Sequence, residues 1–355
     1  MENMNKIAEI DRMIAKYAPN EYPCLLKQYE EFEASKPLDG LRVLDATPIY
    51  RNTLLKYKAL LLAGAKLSVG VTELFQYDPE ILNFLRSAGI EIIDKTRTAD
   101  FDIVLDNAAA FRRVPSRFGY VELTRSGVEK YKQANVPVYL ADSGKIKRIE
   151  TCLGTGESCF RALEHFGYSD FAGKNLVLFG GGKVGTGIIH YGKKNKLNIT
   201  VVTEIGKSRV CNESGIEWLD LKDTDEIVRA VKTADFIVSA TGIKNAVADV
   251  CPPEEITWSY AIVLNMGVED EYGRDVKPSR VLNGKKTANF VLDEPTNVCF
   301  IEATMALHNY GTVYMVQNSP SGIILPSAEL EDRLIEESRS AGVLGDSLDF
   351  INSII

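Results

Sequence analysis

A chain of 355 residues is long enough to bury two cores, and 45% apolar with 25% charged residues is the balance of an ordinary soluble globular protein. The formal net charge of −8 does not supply the basic face that nucleic acid requires, so a small molecule is the expected partner. No apolar run reaches membrane-spanning length, and the six cysteines form no CxxC pair and no metal-ligand spacing with the three histidines, which points to core thiols in a reducing, cytoplasmic compartment and to no metal site.

Residues 1–35 read as one or two helices, amphipathic and charged rather than patterned as a signal sequence. Lys36-Pro37-Leu38-Asp39-Gly40 is a turn, Leu41 to Leu44 a buried strand, Asn52 to Ala63 a helix ended by Gly64, and Lys66 to Val71 the next strand. A helix over Pro79 to Ser87 precedes strands at Ile90 to Ile93 and Asp102 to Leu105. After a basic, aromatic segment come a helix from Ser126 to Gln133 and a strand from Val136 to Leu140. Strands alternating with helices specify a parallel sheet with crossover connections, so residues 1–150 read as a complete α/β domain.

A helix over Gly156 to Phe166 then leads into Asn175 to Phe179, an apolar run of strand length. This run passes directly into Gly180, Gly182 and Gly185 at GxGxxG spacing, with Lys183 and Val184 inside the turn. Gly180 permits the tight turn, Gly182 lets backbone approach a pyrophosphate, and Gly185 lets the following helix pack on the strand. The helix start adds N–H groups and positive dipole for phosphates. A second strand, Ile199 to Thr203, ends on Glu204, where a carboxylate accepts both ribose hydroxyls and repels a 2′-phosphate; the expected cofactor is therefore NAD rather than NADP. Strands at Phe236 to Ala240 and Ala261 to Leu264 run into Thr241-Gly242 and Asn265-Met266-Gly267, and carboxyl ends of such strands are expected to face the cofactor. Asp293-Glu294-Pro295 breaks the chain, a long helix covers Ile301 to Val316, and a charged helix, Glu329 to Ser340, precedes an apolar end, Leu348 to Ile355.

Several stretches between residue 22 and about residue 310 resemble the S-adenosylhomocysteine hydrolase (adenosylhomocysteinase) family: PCLLKQYEEFEASKPLDGLRVLDATP, LLLAGAKLSVG, VPVYLADSG, LGTGES, AGKNLVLFGGGKVGTG, and then TEI, SATG and LNMG in order. The resemblance implies two domains, a Rossmann NAD-binding domain inserted into an α/β substrate domain: 1–150 as substrate domain, 151–295 as NAD domain, and 296–355 as a return segment with C-terminal helices. It also implies a homo-oligomer, dimer or tetramer, and a redox cycle in which NAD transiently oxidises a ribose hydroxyl.

Aligned on these motifs, the acid/base set departs from the family. Pro48, Val268 and Phe300 stand where the family has histidines, Ile146 where it has a lysine, Asn107 where it has an aspartate, and Glu150 in place of another aspartate. The remaining polar residues give a candidate catalytic set of Lys145, Lys147, Glu150, Asp106 and Asp142, in which a desolvated lysine takes a hydroxyl proton and carboxylates hold vicinal hydroxyls. Tyr50, Arg51, Asn107, Glu122 and His308 are candidate substrate contacts, Arg51 as a clamp for a carboxylate or phosphate. Thr155 and Asn297 join Gly180, Gly182, Lys183, Val184, Gly185, Glu204, Thr241, Gly242, Asn265 and Gly267 as candidate cofactor contacts. The expected function is NAD-dependent oxidation of a sugar or nucleoside hydroxyl on a substrate other than the family's usual one. Adenosylhomocysteine hydrolysis with substituted bases and a catalytically silent NAD sensor are the alternatives.

Overall fold

Strand and crossover helix alternate through most of the chain, as the apolar runs require. The structure, a computed structural model, describes residues 2–74, 76–94, 96, 99–132, 136–142, 144–207, 214–345 and 347–353. Gln133, Cys211 and the last two isoleucines lie outside the described residues. The N-terminal part gives α1 (Glu2–Ile14), α2 (Pro23–Ser35), β1 (Arg42–Asp45), α3 (Thr53–Leu62), β2 (Lys66–Val71), α4 (Pro79–Ser87), β3 (Glu91–Asp94), β4 (Ile103–Asp106), β5 (Tyr120–Glu122), α5 (Arg125–Tyr131) and β6 (Val138–Leu140). A short α6 (Ile146–Arg148) continues as a π-helical turn, Ile149–Gly154, into α7 (Thr155–His165). There follow β7 (Asn175–Phe179), α8 (Lys183–Lys194), β8 (Asn198–Thr203), β9 (Ile216–Asp220), α9 (Thr224–Lys232), β10 (Phe236–Ser239), α10 (Pro253–Trp258) and β11 (Ile262–Asn265). The chain ends with α11 (Val298–Asn318), β12 (Ile323–Ile324), α12 (Ala328–Ala341) and α13 (Ser347–Ser353).

These elements form two units. Unit 1 runs to Lys147 and resumes over Asn297–Asp349; unit 2 is Arg148–Thr296 together with the chain from Phe350. Among the described residues no helix is long and apolar enough to cross a membrane.

Unit 1 is built on a seven-stranded sheet, all pairs parallel, in the order β12-β6-β5-β4-β1-β2-β3. One face buries Leu44, Val104, Phe111, Tyr120, Tyr131 and Val138 in a common cluster. Against the opposite face lie α3 and α11, and α11 is apolar nearly all round, which is the pattern of a helix with no solvent side. Residues 1–150 are therefore not a complete domain, contrary to the sequence expectation. The edge partner of β6 is Ile323–Ile324, and the helix covering the sheet is α11.

Unit 2 carries a five-stranded parallel sheet in the order β11-β10-β7-β8-β9. Alternation along β7 explains its unbroken apolar run: Leu176 and Leu178 pack with α7 and α8, whereas Val177 and Phe179 pack with α9 and α10. Both faces are covered, so neither set of side chains is polar. β5, β9, α9 and β12 were not expected from the sequence, β5 and β12 because three and two residues carry no readable periodicity.

Candidate functional site

In unit 2 the strand order reverses at β7, whose neighbours are β8 on one side and β10 on the other. Ligands of open parallel sheets sit beyond the carboxyl ends of strands at such a reversal. Each of the three glycines there has a separate steric reason. Gly180 sits at φ 110°, and a Cβ on it would lie 2.7 Å from the Ala240 carbonyl oxygen, so the β7 and β10 loops abut. A Cβ on Gly185 would lie 1.9 Å from the Gly180 carbonyl oxygen, closing the helix onto the turn. Around Gly182 the space is open, with nothing within 4 Å of a Cβ built there. Gly182 has extended backbone and is the N-cap of α8, with no side chain satisfying the first turn. The result is a bare helix start at an open backbone position, flanked by exposed Lys183 and half-buried Val184. Glu204 is exposed immediately after β8, the next strand along.

Four other candidate cofactor contacts have structural roles that the sequence did not disclose. A buried carboxylate, Glu271, accepts from the Thr241 amide at 3.0 Å, the Thr241 hydroxyl at 2.8 Å and the Gly242 amide at 2.7 Å. Burial pushes its pKa up, and these hydrogen bonds oppose the rise. Gly267 is needed because a Cβ would come within 1.9 Å of that carboxylate. Asn265 is fully buried: its Oδ1 accepts from Gly267 N and Ser239 Oγ, and its Nδ2 donates to the carbonyls of Glu269 and Lys285. Asn265, Gly267 and the polar groups of Thr241 and Gly242 thus shape the loops from within. Thr155 is half-buried and directs its hydroxyl to the Glu150 carbonyl at 3.4 Å. A backbone contact unread in the sequence adjoins it: a Cβ on Gly187 would lie 1.8 Å from the Cys152 carbonyl oxygen, and one on Gly156 2.4 Å from Gly187. The π turn, α7 and α8 consequently pack main chain to main chain.

In unit 1 the reversal falls at β1, between β4 and β2. Asp106 and Glu122 are register partners at the ends of β4 and β5, and both are buried. Asp106 accepts from the Asn107 and Phe111 amides and from Tyr131 Oη at 2.6 Å; burial, then the neighbouring Glu122, push its pKa up to about 7. Glu122 accepts from the amides of Ala108, Ala109 and Thr124 and from the Thr124 hydroxyl. To reach it, Ala108 and Ala109 both adopt left-handed backbone, φ 55° and 54°. In this structure these two carboxylates hold the loop after β4.

Of the expected lysines, Lys145 is half-exposed and paired with Asp332 at 2.8 Å, and the hydrogen bond to that carboxylate raises its pKa, the opposite of what a base requires. Lys147 is buried; Asp142, after β6, and Glu150, in the π turn, are half-buried. Arg51 donates to the Met13 carbonyl at 3.5 Å, near the carboxyl end of α1, so it ties a helix end and is not a free clamp. Tyr50 is buried, its phenol pushed up to about 12 by burial and then by Asp78. Asn297 is half-buried at the N-cap of α11.

Asn107 and His308 are buried, and each has an atom without a hydrogen-bond partner, Oδ1 and Nδ1 respectively. His308 Nε2 lies 2.8 Å from the Val121 carbonyl oxygen; a carbonyl only accepts, so Nε2 carries the proton and Nδ1 is a bare lone pair. Burial first, then the charges of Lys56 and Lys147, hold this imidazole well below its usual pKa and therefore neutral. Lys56 itself was not singled out in the sequence. It is fully buried on α3, paired with Asp45 at the end of β1, and its ammonium also donates to Thr47 Oγ1 at 2.9 Å. The only sequence signal was a lysine in the apolar run TLLKYKALLL, with a strand ending on aspartate before it.

No protein-family model matches the chain. It is 26% identical to the adenosylhomocysteinase of Thermotoga maritima over 92% of its own length and 93% of that protein. It is likewise 26% identical to the S-inosyl-L-homocysteine hydrolase of Methanosarcina mazei, over 67% of this chain and 64% of that one, and 23% identical to the adenosylhomocysteinase of Halobacterium salinarum, over 70% and 64%. Among solved structures, the NAD-dependent formate dehydrogenase of Staphylococcus aureus is distantly similar, with a TM-score of 0.35 and 12% identity over 68% of this chain and 76% of that one. Similarity at 22–26% identity to curated adenosylhomocysteinases and S-inosyl-L-homocysteine hydrolases runs over most of the chain and supports a divergent relative of that superfamily.

Proposed function

We propose that the chain is an NAD-dependent enzyme that oxidises a hydroxyl of a sugar or nucleoside, with unit 2 as the cofactor domain and unit 1, including the return segment, as the substrate domain. The observation that carries this reading is the open position at Gly182, between two glycines whose roles are internal, at the bare N-terminus of α8. That cradle fits a dinucleotide pyrophosphate, held by the backbone of Gly180 to Gly185, with Lys183 beside the phosphates and Glu204 on the adenosine ribose. When bound, NAD supplies hydride-accepting chemistry.

The substrate class follows from the relatives, which act on nucleosides linked to homocysteine. Transient oxidation followed by release of the thiol is the second reading, favoured by the near full-length match to an adenosylhomocysteinase. Lys147 and His308 are the groups of unit 1 we assign to the substrate side.

Tryptophan fluorescence of the purified chain titrated with NAD tests the reading, followed by addition of adenosine, inosine and their homocysteine thioethers. Saturable NAD binding and NADH absorbance on adding a nucleoside are expected, and free thiol would single out hydrolysis. Absence of any NAD affinity would overturn the proposal; NAD affinity with neither signal would leave a cofactor sensor.

A further inference from the structure

At the end of unit 2 opposite the glycine turn, two large rings stand in water. Trp258, the last residue of α10, is 81% exposed, and Tyr260, just before β11, is fully exposed. They are presented from a fixed backbone. Arg280 commits its guanidinium to this turn: Nε donates to the Ile256 and Thr257 carbonyls at 3.0 and 3.2 Å, and Nη2 to the Ser259 carbonyl at 3.0 Å and to the Ser259 hydroxyl and Ala261 carbonyl at 2.8 Å. Ser259 is extended and held inward by the arginine, so the residues on either side of it face out. Side chains ordered in advance lose little freedom when covered, and Trp and Tyr are the residues that most often dominate an interface.

Beside them runs a groove of about 340 Å³ at the amino ends of β7, β10 and β11, lined by Tyr168, Lys174, Asp235, Phe236 and Ile262, with Tyr260 itself as one wall. The Lys174 ammonium lies 5.9 Å from the centre of the Phe236 ring, so the groove offers a cation next to apolar surface, which suits the face of an indole. A cavity of about 150 Å³ holds a benzene ring, and this groove has room for two fused rings. Protrusion and recess are therefore neighbours on one chain. In that arrangement a two-fold axis seats each copy's protrusion in the other's recess, and the contact closes as a pair. Each ring covers about 150–250 Å² when buried; two rings from each copy, with a comparable area lost by the walls they cover, come to roughly 1,200–2,000 Å², the size of a specific, stable interface.

We propose that this end of unit 2 is the interface of a two-fold pair of this chain, in which Trp258 of each copy enters the groove walled by Tyr168 and Tyr260 of the other. The pairing does not rest on the cofactor reading, since the cradle at Gly182 lies beyond the carboxyl ends of the same sheet.

Sedimentation of the full-length chain over a concentration series, with far-UV circular dichroism and NAD titration on the same samples, tests the proposal. The parent chain is expected to associate in pairs, Trp258→Glu to halve the mass of the assembly, and Tyr260→Ala to weaken association at least about tenfold. Both side chains are exposed in the single copy, so the fold of each variant is expected to match the parent. The chain has two tryptophans, and Trp218→Phe leaves Trp258 as the only indole; its emission is expected to shift to the blue, and its quenching by acrylamide to fall, in step with association. A parent that sediments as a single copy at every concentration, an unchanged mass in Trp258→Glu, or a Trp258 that stays fully quenchable in the associated state would overturn the proposal. None of those results bears on NAD affinity, and lost NAD affinity with pairing intact strikes the cofactor reading alone.

Discussion

Gly182→Ala separates ligand contact from folding more cleanly than any other single change in unit 2. The position has φ −78° and ψ −163°, which alanine adopts without strain, and no atom within 4 Å of the new methyl. Replacing glycine at such a site limits the unfolded chain and stabilises by about 0.4–1 kcal/mol. Stability should therefore stay level or rise slightly. NAD affinity should fall, because the methyl occupies the space that lets pyrophosphate reach backbone N–H groups; losing a hydrogen bond to a charged group costs about 1.5–3 kcal/mol, roughly ten- to a hundredfold in affinity. Gly185→Ala is the contrast. Its methyl would lie 1.9 Å from the Gly180 carbonyl oxygen, so the turn must open, at about 1–3 kcal/mol of stability. Both tryptophans, Trp218 and Trp258, lie in unit 2, so fluorescence in urea reports its unfolding, and NAD titration of the same samples gives affinity. A Gly182→Ala protein that binds NAD as tightly as the parent would refute the reasoning.

In unit 1, Glu302 is fully buried, takes the Leu25 amide and the Ser338 hydroxyl, and burial pushes its pKa up to about 7 from 4.5. The folded state therefore holds a proton that the unfolded state releases. This contribution is full below pH 4.5 and is lost as pH rises to 7, roughly 3 kcal/mol in all. Glu302→Gln should flatten that slope and gain most above pH 7, read from urea melts followed by far-UV circular dichroism; parallel curves for both proteins would contradict it. Ala108→Gly should stabilise unit 1 by ~1 kcal/mol, since left-handed backbone costs alanine more than glycine, and an unchanged or lower midpoint would argue against strain at that loop.

The glycine turn of unit 2 was legible because all its reasons lie within about thirty residues of sequence: strand period, glycine spacing, helix start and terminal acid occur in order. The site in unit 1 was less so. A carboxylate at a strand end reads the same whether it holds a ligand or its own loop, and in this structure Asp106 and Glu122 hold their loop. Lys56 lay in a helix expected from its apolar spacing, and nothing local announces that Asp45, at the end of the preceding strand, is its partner. Asn265 stands at a motif position, yet all its polar atoms are satisfied internally.

The path of the chain through unit 1 sets an order of events during synthesis. When residue 147 leaves the ribosome, six strands have been made, but the β6 edge still lacks Ile323–Ile324 and one sheet face lacks α11. Unit 2, whose five strands are contiguous in sequence, can finish its own sheet before those pieces exist. The half of the protein made first is thus the half completed last, and its apolar face must be shielded while some 150 further residues are translated.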